Sequence, residues 1–527
     1  MLNDVIENYL DSVGEREFDA PFIALLRAMG YWDIHFLHGS FEFGKDSIAK
    51  GNSEGSTAQF AFQTKAGDIN LGAWSECRGQ IDMLRTDSLA HPAFDEKLPR
   101  KAVFVTTGRL IGGAALAAQS YRDHLVQQSE IGFLTWDKQN LIEFISSHPG
   151  VCLASVTGGA FLALIGHIEQ NKVSEREIEN YSREWSSSDR DLNQVSLETA
   201  IIAQRLRNAN CLDLSAMTAL MLIRAVWLRT HGVEPPAEVA LVAADTGRQL
   251  FRHYAWRIFE ECGEGMLNPL EFLRNHGSLA AHVTYPISCL RIVEILGLLN
   301  LLDSPRDAER KDVLGDFLVD FLNSNPGVSR PVSDRWAVSL IPAVLTCAQR
   351  GGTQAVRELL MKVAKWVADR YDSDGLGLSG PECGPDEEVD RLLGAPFEFI
   401  KLDRRAESYI ATVVLDLAAI LQLGDVFDLA RNDFLAVGLF PSVIEAPDSE
   451  AQYILHSNDL AFTANMEYEE SWPADAGWKV APHHQRAKTD YYLQRIGRHW
   501  DHLALSSVLR DRHFPETCRH FLPVTPE

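Results

Sequence analysis

Hydrophobic periodicity switches once along this chain, and the switch decides which folds are open to it. Across the first 150 residues, short β-patterned runs alternate with helix-patterned ones. FDAPFIALLRAM (18–29) has helical spacing and meets Gly30, a common helix stop. YWDIHFL (31–37) reads as β, GSFEFGKDS (39–47) as a loop, and FAFQTK (60–65) as a strand. A helix pattern over 73–85 follows. Next come the strand KAVFVTT (101–107), Gly108, an Ala-rich helix (112–128), the strand IGFLTWD (131–137) and the helix KQNLIEFI (138–145). Strands alternating with helices predict an α/β sheet covered on both faces.

From about residue 195 the period becomes helical only. Seven amphipathic segments, from LSAMTALMLIRAVWLRTHG to AESYIATVVLDLAAILQL, carry apolar residues at spacings of three and four. They predict a large all-α domain, and the lack of a fixed-period repeat favours an irregular helical array over a regular solenoid. SREWSSSDRD (182–191) is the expected linker. The predicted organisation is an N-terminal domain over 1–150, a connector over 151–195, a helical regulatory or assembly domain over 196–440 and a C-terminal extension over 441–527.

Composition narrows the function classes. Eight cysteines without a CxxC pair argue for reduced thiols and against a zinc ribbon or disulfide scaffold. No apolar run is read as a membrane span, and MLNDVIENYL lacks the basic start of a secretory signal, so a cytoplasmic protein without membrane contact is expected. The formal charge of −24 opposes non-specific nucleic-acid binding by the protein as a whole. DSDGLGLSGPECGPDEE (372–388) fails the EF-hand spacing because Gly375 directly follows the second Asp, and it reads as a solvated loop. GRLIGG (108–113) lacks both the GxGxxG and the P-loop spacings.

The strand at 60–65 carries the chemistry. Residues two apart on a strand share a face, so Gln59, Ala61, Gln63 and Lys65 lie on one side and Phe60, Phe62 and Thr64 on the other. Lysine is seldom buried without a partner. An ion pair with Asp46 or Asp68, with Gln63 satisfied by backbone, is one account of the pattern. The other is a metal and phosphate site. Asp46 and the Gln63 carbonyl oxygen suit a hard cation that keeps several waters. Lys65 can then position the attacking water or stabilise charge growing on the phosphate. Neutral Gln63 is a weaker ligand than a carboxylate, which puts more of the load on Asp46.

The spacing Asp46-x16-Gln63-x-Lys65 is unspecific alone, but its surroundings are not. In order, FDAPFIALLRAMGY, GKD, FAFQTK, KAVFVTTGRLIGGAALAA and IGFLTWDKQNLIEFI resemble the Mrr-like branch of the PD-(D/E)xK restriction-endonuclease superfamily, over residues 15 to 146. The resemblance implies a mixed sheet flanked by helices and a Mg²⁺-dependent endonuclease, with Mn²⁺ as the alternative ion. By the same carry-over, Asp46 matches the metal-binding Asp, Gln63 and Lys65 match the Q-x-K pair, and Asp19 stands where the family's helix Glu usually does. Asp19 is one carbon shorter than Glu, and Glu15, one turn earlier on the same face, is the alternative ligand.

Residues 1–150 hold 13 Lys and Arg against 20 Asp and Glu, a net of −7, so nucleic-acid contact needs local clusters. Lys45, Arg78 and Arg109 are the leading candidates, with Lys50, Arg85, Lys97, Arg100 and Lys101 behind them. DNA is the expected substrate, with RNA as the alternative. Such domains are widely fused to helical regions in bacterial restriction and anti-phage proteins. The resemblance therefore implies control by an activating protein partner or by self-assembly into a homo-oligomer through the helical domain. The segment 478–502 (Lys479, Arg486, Lys488, Arg495, Arg498, Tyr491, Tyr492, Trp500) is read either as a base-stacking, phosphate-contacting stretch or as one that docks on the helical body. A non-catalytic scaffold on a decayed nuclease fold is the competing reading. An enzyme site among the C-terminal helices is a third, and it requires a deep polar pocket there.

Overall fold

The computed structural model describes residues 2–37, 46–53, 55–86, 93–95, 97–127, 132–148, 159–230, 238–262, 281–304, 307–372, 375, 377–380, 383–384, 388–389, 406–444, 463–465 and 499–522. The chain divides into two compact units, residues 1–173 with 190–205 and residues 174–189 with 206–527.

In the first unit, α1 (Leu2–Ser12) and α2 (Glu15–Ala28) precede β1 (Trp32–Phe36), β2 (Ser47–Ser53) and β3 (Ser56–Lys65). Then come α3 (Leu71–Thr86), β4 (Arg100–Thr106), α4 (Gly113–Gln127), β5 (Gly132–Trp136) and α5 (Lys138–Ser147). The five strands form one sheet in the order β1-β2-β3-β4-β5. Pairing is antiparallel from β1 to β3 and parallel from β3 to β5. The sheet is therefore mixed and flanked by helices, as the sequence predicts.

Two details depart from the sequence reading. Helix α1 was not anticipated, although Val5, Ile6, Tyr9 and Leu10 recur at helical spacing and are its buried face. The segment around Asp46 reads as a loop or a short strand, and strand β2 runs further than that, through Gly51 and Asn52, which are poor strand formers. It forms because a continuous antiparallel register joins Ser47–Ser53 to Ser56–Phe62. Gly51 is needed there, as a Cβ would come within 2.7 Å of the Tyr31 ring and 3.1 Å of Phe60.

The period-two pattern of β3 sorts the two sides of the sheet. Ala61 packs with Ile48, Phe104, Trp74, Tyr121 and Phe133 beneath α3 and α4. Phe62 meets Phe22, Tyr31 and Trp136, with centroids 5.4, 5.9 and 5.6 Å away. Each fully buried Phe contributes about 1.5–3 kcal/mol. These two layers hold β3 in place and so fix where its C-terminal end, with Gln63 and Lys65, emerges. Asp137 caps α5, its side chain accepting from the backbone N–H groups of Gln139 and Asn140. That cap is the reason a strand ending in Asp leads into a helix here. The first unit also contains α6 (Gly159–Glu169) and α8 (Leu192–Asn208) as far as Arg205.

The second unit is mainly helical and begins with α7 (Glu175–Ser182). Long helices at Leu212–Thr230, Glu238–Cys262, Ala281–Leu301, Ala308–Ser324, Thr353–Tyr371 and Tyr409–Ile420 follow the predicted segments closely. It is not purely α: strands Glu407–Ser408, Phe440–Ile444 and Thr463–Asn465 form a small mixed sheet. The stretch expected as a linker contains a 3-10 turn at Arg183–Ser186 in which Trp185 is fully buried. Contrary to the reading that no segment is apolar enough to span a bilayer, Ala281–Leu301 passes that test by length and composition, with a mean hydropathy of 1.3. Its surface is largely buried within the protein, and it carries Arg291 and Glu294 in its interior-facing stretch.

Candidate functional site

Asp46 is held by backbone before its side chain does anything. Its N–H donates to the Phe62 carbonyl at 2.9 Å, and its own carbonyl accepts from Leu37 N–H at 2.9 Å. The carboxylate thereby falls beside the end of β3. Its Oδ2 accepts from Gln63 Nε2 at 2.9 Å, from the Thr64 backbone N–H at 2.6 Å and from Thr64 Oγ1 at 2.8 Å. All three bonds fall on Oδ2, which leaves Oδ1 as the oxygen with lone pairs to offer.

Gln63 is 2% exposed, and its Oε1 is buried without a hydrogen-bond partner. An orphaned buried carbonyl is costly, of order 1–3 kcal/mol. Because the amide nitrogen is committed to Asp46, the free oxygen is the ligand-type atom.

Lys65 is half-buried and donates from Nζ to Glu15 Oε1 at 3.1 Å. The pair predicted with Asp46 or Asp68 is therefore not the one formed. Asp68 instead accepts from the Arg109 backbone N–H at 2.8 Å. Glu15 opens α2, whose neighbour Glu17 is used to cap the helix by accepting from Gly14 N–H at 3.1 Å. Asp19 is half-buried one turn along α2. Of the two helix carboxylates, Glu15 is the one seen bonded to Lys65.

Burial pushes the Asp46 carboxyl above the usual carboxylate range, and the nearby Glu15 charge adds to the rise. The two Thr64 bonds and the Lys65 charge oppose it without cancelling it. Asp46 is thus a desolvated carboxylate whose charge is only partly compensated.

The donor set fits a hard divalent cation: one carboxylate, one orphaned amide oxygen and a second carboxylate within reach of the same lysine. Among the described residues no group of three or more His, Cys, Asp or Glu is arranged to hold a metal. His35 bonds Asp33 at 2.8 Å, and His38 lies outside the described residues.

Two threonines missed by the sequence reading set the chain just beyond Lys65. Thr106 Oγ1 donates to the Gly67 carbonyl at 2.7 Å, and Gly67 N–H donates to Thr107 Oγ1 at 2.9 Å. Thr107 N–H also donates to the Lys65 carbonyl at 3.1 Å. The TT pair at the end of β4 therefore clamps the residues that follow the Q-x-K strand. Thr64, placed by its period on the opposite face from Gln63, was likewise missed, and it supplies two of the three bonds to Asp46.

Several of the predicted nucleic-acid contacts already have other partners, while Lys50 and Arg100 fall in one row of the sheet through Gln59. Lys45 lies outside the described residues. Arg109 is exposed but pairs with Glu7 at 2.6 Å, and Lys50 pairs with Asp33 at 2.6 Å. Arg78 sits on α3 over the Tyr121 ring, 5.5 Å from its centroid. The basic residues of 478–498 lie outside the described residues, but Trp500 is buried and donates to the Leu298 carbonyl at 2.8 Å. That tryptophan belongs to the helical core and cannot stack on a base. Comparison with protein-family models, with curated proteins and with solved structures gives no match to this chain.

Proposed function

We propose that the first unit is a metal-dependent phosphodiester hydrolase, an endonuclease acting on DNA, with RNA as the alternative substrate. The observation that carries the reading is the meeting of Asp46, Gln63 and Lys65, with Glu15, at the end of one strand, together with the unpartnered Gln63 Oε1. Asp46 Oδ1, Gln63 Oε1 and Glu15 are the residues that would hold Mg²⁺ or Mn²⁺. Such an ion, when bound, polarises a phosphate oxygen and lowers the pKa of a coordinated water.

The chain's own residues supply the rest. Thr64 and the backbone bonds of Asp46 fix the carboxylate so that no side-chain reorganisation is needed on binding. Lys65 places a positive charge beside the site, where a phosphate oxygen can replace Glu15 as its partner. The Thr106–Gly67 clamp keeps the Lys65 segment from drifting. On this reading the helical unit or a partner protein controls cutting, in the manner of a restriction or anti-phage effector. The non-catalytic alternative draws on the Lys65–Glu15 pair, which satisfies the lysine without substrate. It leaves the buried Gln63 carbonyl unexplained.

The test is plasmid cleavage by the full chain with Mg²⁺ or Mn²⁺, beside Lys65→Ala and an EDTA control. The expected result is metal-dependent cutting that falls by about 10²–10³ in the variant, the worth of one preorganised electrostatic donor. Cutting that survives Lys65→Ala places the chemistry elsewhere. A wild type that neither cuts nor binds either metal supports the scaffold reading.

A further inference from the structure

Three cations stand at the carboxyl ends of the three parallel strands, the edge at which open α/β sheets generally bind their ligands. Lys65 ends β3, Arg109 lies just past β4, and Lys138 opens α5 directly after β5. Backbone bonds tie the three places together. Thr107 N–H donates to the Lys65 carbonyl at 3.1 Å, and Lys138 N–H donates to the Gly108 carbonyl at 2.8 Å.

Each cation meets a carboxylate from the helices that precede the sheet. Lys65 has Glu15 at 3.1 Å, and Lys138 is bonded to Asp11. Glu7 is shared: its Oε1 lies 2.6 Å from Arg109 Nη2 and 3.7 Å from Lys138 Nζ. Glu7 and Asp11, four residues apart, fall on one face of α1, whose other face is buried through Val5, Ile6, Tyr9 and Leu10. The fold thus places one anion between two cations from neighbouring strand ends. That anion is a flexible side chain, about a third exposed, which can swing out to water. Arg109 is 59% exposed and uses only Nη2, with no second acceptor for its guanidinium among the described residues. A two-pronged donor edge suits a phosphate better than a single carboxylate oxygen.

We infer that this edge is the surface on which the phosphodiester backbone of the substrate lies, with one phosphate displacing Glu7 between Arg109 and Lys138. Glu7 is then a resident competitor that weakens binding until it is displaced. The inference rests on the nuclease reading and adds to it a binding edge and a built-in restraint on that edge.

Fluorescence anisotropy of a short labelled DNA duplex, and of RNA of the same sequence, titrated with the full chain in EDTA reads the edge without cutting. Glu7→Gln keeps the shape of the side chain and leaves Asp11 on Lys138. It should tighten binding about three- to fivefold, the worth of one partly exposed pair, and steepen the salt slope by about one phosphate contact. The control is Asp123→Asn on α4, which likewise removes one exposed charge beside an arginine, Arg122 at 3.9 Å, and should change little. Arg109→Ala should weaken binding and, combined with Glu7→Gln, abolish the gain. A gain seen with RNA and not with DNA supports the edge and names RNA as the substrate. No gain from Glu7→Gln, an equal gain from Asp123→Asn, or a gain that survives Arg109→Ala overturns the inference, and metal-dependent plasmid cutting by wild type then leaves the nuclease reading standing. No cutting by wild type, together with no binding by any form, overturns both.

Discussion

Gln63→Glu is the substitution that most sharply separates a metal site from a polar network that merely fills space. The new carboxylate would face Asp46 Oδ2 at the 2.9 Å now spanned by the amide bond. At an effective dielectric of about 20, two full charges at that distance repel by about 6 kcal/mol. Keeping one carboxyl protonated at pH 7 instead costs about 1.4 kcal/mol for each unit above an ordinary value near 4.3, or about 4 kcal/mol. The smaller cost prevails, so the metal-free variant takes up a proton and the two carboxyls share it. Its folded pair therefore has a raised pKa. The sign follows: the penalty relative to wild type is largest at neutral and alkaline pH, shrinks by about 1.4 kcal/mol per unit as pH falls, and vanishes near pH 4. A divalent cation neutralises both charges and should reverse the penalty. Hydrogen exchange of the β3 amides in the full chain, in EDTA and in Mg²⁺ from pH 5 to 8, measures this directly. Equal protection of variant and wild type in EDTA at pH 8, or a deficit that Mg²⁺ leaves untouched, would refute the geometry on which the metal site rests.

Three further perturbations test neighbouring parts of the argument. Asp46→Asn removes a desolvated charge whose raised pKa means that its stabilising contribution, present below the unfolded value, is lost as pH rises through the folded one. The metal-free variant should therefore melt higher than wild type above that folded value while losing its response to Mg²⁺, and wild-type metal affinity should fall as pH drops through it. Gly108→Ala puts a Cβ 2.2 Å from the Gly67 carbonyl carbon and 2.3 Å from Asp68 N, both backbone atoms that cannot rotate aside. A loss of about 3 kcal/mol in the first unit, seen as reduced exchange protection of β3 and β4, is expected, and a neutral result would show the turn to be pliable. Glu294→Ala strips the fully buried Arg510 of its 2.7 Å partner and should cost the helical unit about 3–5 kcal/mol by denaturant titration. A cost under about 1 kcal/mol would mean that Glu175 alone can hold that arginine.

What was legible in the sequence follows from which forces are local. The Phe60/Phe62 alternation and the stops at Gly30 and Asp137 are short-range signals, and they placed β3, α2 and α5 near their observed positions. The full length of strand β2 escaped, leaving only a loop or short strand legible there, because Gly51 and Asn52 argue against a strand. Its stability comes from pairing with β3 and from the Tyr31 ring over Gly51, neither of which is local. At the site, Asp46, Gln63 and Lys65 were found by their spacing on and before one strand. Thr64 was not, because its alternation puts it on the other face, and only the backbone course of Asp46 shows the carboxylate reaching around the strand end. The place of Glu15 beside Lys65 turns on where α2 starts. The pattern suggested Phe18, but the helix begins three residues earlier, at Glu15, with Gly14 as its cap. The SREWSSSDRD stretch misled for the opposite reason, since its polar composition hid one fully buried tryptophan.

Charge pairing around the first unit bears on how a phosphate would ever arrive. Lys65, Arg109 and Lys50 each already face a carboxylate, at 3.1, 2.6 and 2.6 Å, and Lys138 is bonded to Asp11. Such partly exposed pairs are worth about 0–1 kcal/mol each, so exchanging a Glu or Asp for a phosphate at any of them is energetically cheap. The obstacle is the approach, because a net of −7 over residues 1–150 repels a polyanion before a local exchange can compensate. Added salt therefore screens repulsion as well as attraction, and on the nuclease reading affinity should fall less steeply with salt than for a basic nuclease. On that reading an isolated unit should bind weakly, and assembly or a bound partner would raise the local concentration of nucleic acid to the range where weak exchanges suffice. On the nuclease reading, the same acidic surface that would make the unit a poor solitary enzyme would make its activity depend on whatever brings the substrate to it.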